Sequence, residues 1–162
     1  MDIWTERLER RHLPALERWV SHTDGAMTPN DLPPDTDGLV PWFEGCSEDS
    51  ARLDCLALVY ETPVGVTGLR WHGKQDGLAE LYLLLGETGY NPLRTATYVT
   101  LRMLDRAFLD LGFRRVTARV HARHSWYLEV LEQMGFARTA EEDELIFCSA
   151  EKDVFLNRKY LF

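Results

Sequence analysis

At 162 residues, 45% of them apolar, the chain is long enough to bury a sizeable core, and its composition excludes a disordered chain. Its formal charge of −8 argues against a nucleic-acid partner and suits a cationic or amine-bearing substrate, though solubility explains the sign equally well. No apolar run approaches a membrane span and no signal-peptide core opens the chain, so a cytoplasmic protein without membrane contact is expected, as one domain over residues 1–162.

In chain order, Ile3–Leu8 reads as a first strand, and His12–Val20 carries Leu13, Leu16, Trp19 and Val20 at helical spacing, with Pro14 in the first turn. Residues 24–50 differ in kind. Pro29, Pro33, Pro34 and Pro41 and a scatter of aspartates predict an irregular segment with one short helix near Pro41–Glu44, the sort of long connection that carries function. Leu53–Tyr60, Val64–His72 and Leu78–Leu85 then read as three strands of an antiparallel meander, the last two joined by the turn chemistry of Gly73–Gly77. An amphipathic helix follows from about Thr95 to Leu111 and stops at Gly112. Arg115–His121 alternates as a strand with one wetter face, and a second helix runs from Ser125 to Met134, ended by Gly135. Phe136–Thr139 and Val154–Leu161 are the last strands expected, separated by the acidic run Glu141–Glu144.

That order predicts an α/β (α+β) fold: a mixed, mostly antiparallel sheet of about six to seven strands with helices on both faces. Cys46, Cys55 and Cys148 are odd in number and irregularly spaced, which suggests neither a disulfide framework nor a zinc site, and no metal is expected. A strand feeding a helix feeding a strand, from Ala79 to Phe136, is the unit that offers backbone amides to an anionic cofactor at a helix N-terminus.

Two stretches within that unit carry a family likeness. The first is the loop Asn91-Pro92-Leu93-Arg94-Thr95-Ala96 between the Leu78–Leu85 strand, with its acid Glu80, and the helix. The second runs from His124 to Phe136 and ends in Glu132, Gly135 and Phe136. With the element order, they resemble the GNAT superfamily of acetyl-CoA-dependent N-acyltransferases, most closely the branch that includes ribosomal-protein N-terminal acetyltransferases. The family loop has the form (Gln/Arg)-x-x-Gly-x-(Gly/Ala); here Ala96 keeps the small last residue, Arg94 replaces the central glycine and Asn91 the leading residue. His124 stands where the second motif has Asn, and Leu131 where many members have Tyr.

The resemblance implies acetyl-CoA as co-substrate, with its pyrophosphate at Asn91, Leu93, Arg94, Thr95 and Ala96, and a backbone N–H of Leu84 or Leu85 beside the thioester carbonyl. It also implies an acceptor that is a primary amine of a small molecule or peptide N-terminus, and a monomer or homodimer. Arg94 lacks the dihedral freedom of glycine but supplies a guanidinium, itself a strong phosphate ligand. Acyl transfer to an amine needs a base, and Glu80 on a largely apolar strand face is the candidate; its other reading is an ion pair with Arg70 on the neighbouring strand. With Leu131 unable to serve, Tyr127 one turn earlier is the candidate acid, its other reading a core residue. His121 and His124 line the cofactor or substrate cleft or face water. An alternative of another class is a GNAT-like module that binds ligands without turnover.

Overall fold

Arg52–Val59 (β2) is buried along nearly its whole length because both its faces are covered, and the rest of the sheet is built outward from it. The computed structural model describes residues 2–21 and 25–162. Ile3–Arg7 (β1) pairs antiparallel with β2, Thr62–Arg70 (β3) with its other edge, and Leu78–Leu85 (β4) with β3. Arg115–His121 (β5) pairs parallel with β4, Leu145–Glu151 (β7) antiparallel with β5, and Ala137–Glu142 (β6) with the outer edge of β7. The described residues thus form a seven-stranded sheet of order β1-β2-β3-β4-β5-β7-β6, the mixed, mostly antiparallel sheet expected.

Period-two alternation sorts the strands' side chains between two cores. Leu81, Leu83, Val116, Ala118 and Val120 point to one face, where Pro92–Asp105 (α3), Ser125–Gln133 (α4) and Lys152–Arg158 (α5) contribute Val99, Met103, Leu128, Leu131 and Phe155. On the other face, Leu56, Leu58, Val66, Tyr82 and Leu84 pack under Leu13–Trp19 (α1) and Leu39–Glu48 (α2) through Leu13, Leu16, Trp19 and Leu39. Burying each large aliphatic residue contributes about 1.5–3 kcal/mol, so these two layers fix the sheet's register.

Several expected boundaries move. The short helix expected near Pro41–Glu44 extends over residues 39–48, 10 residues, because Pro41 sits in its first turn, where no backbone donor is lost. α3 opens at Pro92, not Thr95, and continues past Asp105 as a π-helical turn over Arg106–Asp110 before Gly112, at φ 76°, ends it. The Val154–Leu161 strand is corrected: those residues fall in α5 and a 3₁₀ turn, and only Phe155 of α5 is fully buried. The last strand is instead Leu145–Glu151, whose Ile146, Cys148 and Ala150 are buried in strict alternation. Glu141 and Glu142 belong to β6, and the turn to β7 falls at Asp143, at φ 55°.

One departure from regularity positions the site. The β4–β5 ladder runs only from Leu78–Arg115 to Leu81–Ala118, although β4 continues to Leu85 and β5 to His121. Beyond Leu81 the two strands part. Residues 25–28 enter the gap as a strap: Ala26 forms an antiparallel bridge with Leu84, and the Met27 N–H donates to the Leu83 carbonyl at 3.1 Å. The Met27 carbonyl accepts from the His121 N–H at 3.0 Å, and Thr28 Oγ1 accepts from the Leu83 N–H at 3.0 Å. The backbone groups exposed by the parted strands are thus partly satisfied from outside the sheet.

Candidate active site

At the C-terminal end of β4, where the strands have parted, lies a cleft of about 370 Å³. Gly25 and Met27 of the strap form one wall, Leu85, Gly86, Glu87 and Thr88 the floor, Tyr90 and Pro92 the α3 side, and His124 and Trp126 the α4 side. Leu83 turns its N–H and carbonyl toward the strap, so by strand alternation Leu85 turns its own the same way and Leu84 toward β3. Of the two residues expected to offer an amide to a thioester, Leu85 lines the cleft and Leu84 does not. Glu87 in the floor is also held in place: the Trp19 indole N–H at 3.0 Å, with Arg18 beside it, holds the Glu87 carboxyl below its usual range.

The loop expected to hold pyrophosphate opens α3 at one edge of this cleft. Asn91 is its N-cap, accepting the Arg94 N–H on Oδ1 at 3.1 Å, and the Thr95 N–H donates to the Asn91 carbonyl at 3.0 Å. Pro92 has no N–H. The first turn therefore keeps only the Leu93 amide for an anion, together with the positive end of the helix dipole and the exposed Arg94 side chain. Thr95 and Ala96 are buried and seat the helix on the core rather than lining the cleft. A cofactor with a pantetheine arm and a pyrophosphate fits this arrangement: a strand edge opened beside a cleft, with a capped helix N-terminus and a cation at its rim.

Glu80 is not a free base. Arg119 of β5 donates Nε and one terminal nitrogen to its carboxylate at 2.6 and 3.1 Å, and Arg70 of β3 adds a third bond at 2.9 Å. The pairing with Arg70 read as the alternative is present, and Arg119 joins it because Thr117 faces Glu80 across the parallel register. Both oxygens of this carboxylate are taken up by charge-assisted hydrogen bonds to the two guanidiniums. The network extends beneath α2: Asp31 accepts from Arg52, which also holds Asp54, and Asp54 accepts from the fully buried Tyr82 hydroxyl at 2.5 Å.

Tyr127 takes the core position that was its other reading. It is fully buried, and its hydroxyl lies 2.8 Å from Thr100 Oγ1 between α3 and α4. Burial raises its pKa well above the ordinary tyrosine value. Tyr127→Phe is expected to lower stability by about 1 kcal/mol and leave kcat within about threefold, checked by denaturant titration and steady-state rates. The signal that sequence reasoning lacked is Thr100, whose position on the inner face of α3 is visible only once the helices are packed.

The histidines separate. His124 lines the cleft, whereas His121, at the end of β5, shares the α1/α2 face with Arg119 and Thr117. Partial burial, then the charges of Arg123, His124 and Arg119, push its pKa down against the opposing pull of Glu144, so the imidazole is neutral near pH 7. The cysteines are free thiols, and burial pushes each up to about 12, which removes them as thiolate nucleophiles. Among the described residues, no group of three His, Cys, Asp or Glu side chains is placed to hold a metal, and no helix is long and apolar enough to cross a membrane.

A parted β4–β5 pair with a cofactor-sized cleft at the next helix defines a class, that of acyl-CoA-dependent transferases. The sequence matches the family model described as acetyltransferase (GNAT) domain over residues 3–137, and the chain belongs to that family. It is an acetyl-CoA-dependent N-acetyltransferase. No curated protein sequence matches the chain. Among solved structures it is similar to the spermidine N-acetyltransferase SpeG of Vibrio cholerae in complex with CoA and spermine, with a TM-score of 0.80 and 16% identity over 96% of this chain and 98% of that one. A single-residue variant of SpeG gives a TM-score of 0.82 at 15% identity, covering 97% and 98% of the two chains. A chimera of SpeG with hSSAT gives 0.81 at 16% identity, covering 98% and 100%. At such identities the likeness is one of fold. None of these is a ribosomal-protein N-terminal acetyltransferase, so the narrower branch expected from sequence gains no support.

Proposed function

We propose that this protein, acting as one domain in the cytoplasm, acetylates a primary amine that approaches as a cation, with acetyl-CoA in the cleft at the end of β4. The observation that carries this reading is the parting of β4 and β5 after Leu81 and Ala118 beside the α3 N-terminus. Acetyl-CoA supplies an activated acetyl group as a thioester. The chain's own part is to place it: Leu93 and Arg94 meet the pyrophosphate, Asn91 holds the helix end, the Leu85 backbone lies along the acyl end, and His124 walls the cleft. His121, kept neutral on the acceptor face, is the base we assign to the amine proton. Glu80 fixes Arg70 and Arg119 instead of moving a proton.

The cationic acceptor is inferred from two exposed acidic segments, one following the strap in the chain and one at the end of β5. Asp31, Asp35, Asp37 and Glu44 follow it in the chain; Asp24, of the same run, lies outside the described residues. Glu141–Glu144 reach the same end of β5, where the Ala122 N–H donates to the Glu144 carbonyl at 2.8 Å, next to His121 and its bond to Met27. Two acidic walls raise the local concentration of a cation, an effect that salt screens. A polyamine, the acceptor named for the Vibrio cholerae structure, and a peptide N-terminus, the acceptor of the ribosomal-protein branch, both meet that requirement. Asparagine or glutamine at Asp35, Asp37, Glu142 and Asp143 together is expected to raise KM for the amine several-fold and spare KM for acetyl-CoA, with kcat/KM falling as ionic strength rises. An amine KM indifferent to both changes refutes the cationic acceptor.

A further inference from the structure

A second cleft, of about 500 Å³, opens on the α1/α2 side of the sheet at the start of β4, lined by Arg70, Trp71, Glu80, Thr117 and Arg119, with Asp76 at its edge. Two arginines against two carboxylates leave it without net charge. What distinguishes it is hydrogen-bond donors with nothing to donate to. Arg119 spends Nε and one terminal nitrogen on Glu80, and Arg70 spends one terminal nitrogen there, with Asp31 at 3.8 Å from the other. Arg70 Nε is buried with no hydrogen-bond partner, the guanidinium lying 5.5 Å from the centre of the Tyr82 ring. A buried donor left unmade is costly, and an oxygen acceptor brought in by a ligand removes that cost. Glu80 meanwhile holds both guanidiniums in fixed planes, so a ligand finds them already oriented.

The cleft also lies on a path to the acetyl group. Thr117, Arg119 and His121 alternate onto one face of β5, each half-exposed, and lead from the arginines to the point where the strands have parted. From Glu80 to Leu85 along β4 is roughly 17 Å at the rise of a strand, which an extended tetrapeptide of about 14 Å covers with the reach of an arginine side chain.

We propose that this cleft is the far end of the acceptor site and binds carbonyl or carboxylate oxygens, so that the acceptor is peptide-like: an amine with such oxygens some residues away from it. The proposal rests on the acetyltransferase reading above and narrows its acceptor. A polyamine offers only donors, and has no oxygen to accept from the guanidinium N–H groups left over here.

The test compares tetra-alanine and spermidine as acceptors, by thiol release, in the wild-type protein and Arg119→Ala, with the Kd for acetyl-CoA measured by calorimetry in both. Tetra-alanine is expected to exceed spermidine in kcat/KM by at least about tenfold. Arg119→Ala is expected to raise KM for tetra-alanine about tenfold without raising that for spermidine, and to leave the acetyl-CoA Kd within about twofold. Preference for spermidine, or a tetra-alanine KM unmoved by Arg119→Ala, overturns this proposal alone. Tight acetyl-CoA binding with no acetylation of either amine overturns the acceptor reading on which it stands, and this proposal with it.

Discussion

In calorimetry, Arg94→Glu is expected to weaken acetyl-CoA binding by roughly 10- to 100-fold, about 1.4–2.8 kcal/mol, while Lys74→Glu, an equal change of charge in the exposed turn before β4, leaves it within about twofold. The reason is the accounting of donors in the first turn of α3. Pro92 has none, the Arg94 amide is capped by Asn91, and the Thr95 amide closes the first helical bond. Where a glycine would let several backbone amides approach a pyrophosphate, this loop leaves Leu93 and a guanidinium. A charge-assisted contact of that kind is about twice as strong as a neutral one, so reversing its sign both removes an attraction and adds a repulsion. Equal losses from the two substitutions would mean that only the overall field of the protein matters.

Gly25→Ala is expected to lower kcat/KM by about 100-fold, because a misplacement of about 1 Å in a site can cost that much. A β-carbon at Gly25 would stand 1.6 Å from the Leu85 carbonyl oxygen, a backbone atom that cannot swing aside. The strap must then lift from β4, and with it the bridge at Leu84 and the bonds of Met27 to Leu83 and His121. Overpacking of this kind costs about 1–3 kcal/mol, which a thermal melt reads directly. The matched control is Gly45→Ala within α2, where a β-carbon meets nothing within 4 Å and helix propensity alone favours alanine by up to about 1 kcal/mol. Similar behaviour of the two variants would mean that the strap does not shape the cleft.

The fold was legible wherever one strand face is dry and the other wet. Val116, Ala118 and Val120 announce β5 by alternation, and Gly112 and Gly135, both at positive φ, mark the ends of the two helical stretches before β5 and β6. Leu145–Glu151 shows the same alternation through Ile146, Cys148 and Ala150, yet it stands beside an acidic run and reads as part of a loop. Val154–Leu161 has the apolar content of a strand, but only Phe155 of α5 is buried, and exposed Tyr160 and Leu161 do not report a sheet face.

The site was less legible, for a physical reason. The likeness in the Asn91–Ala96 loop placed a helix start in this stretch, although the helix opens at Pro92, three residues before the expected Thr95. What Glu80 and Tyr127 do depends on partners 39 and 27 residues away, Arg119 and Thr100, and no local pattern announces those. Gly25 and Met27 lie in a segment without periodicity, so the strap that fills the parted strands had no sequence signal beyond the glycine itself.

The most direct measurement supplies acetyl-CoA and an amine, tetra-alanine or spermidine, and counts free thiol and acetylated amine in the same reaction. N-acetyl transfer predicts one thiol released for each amine acetylated, and no release without the amine beyond the spontaneous rate. Thiol released at the same rate whether or not an amine is present, with no acetylated product, would contradict it.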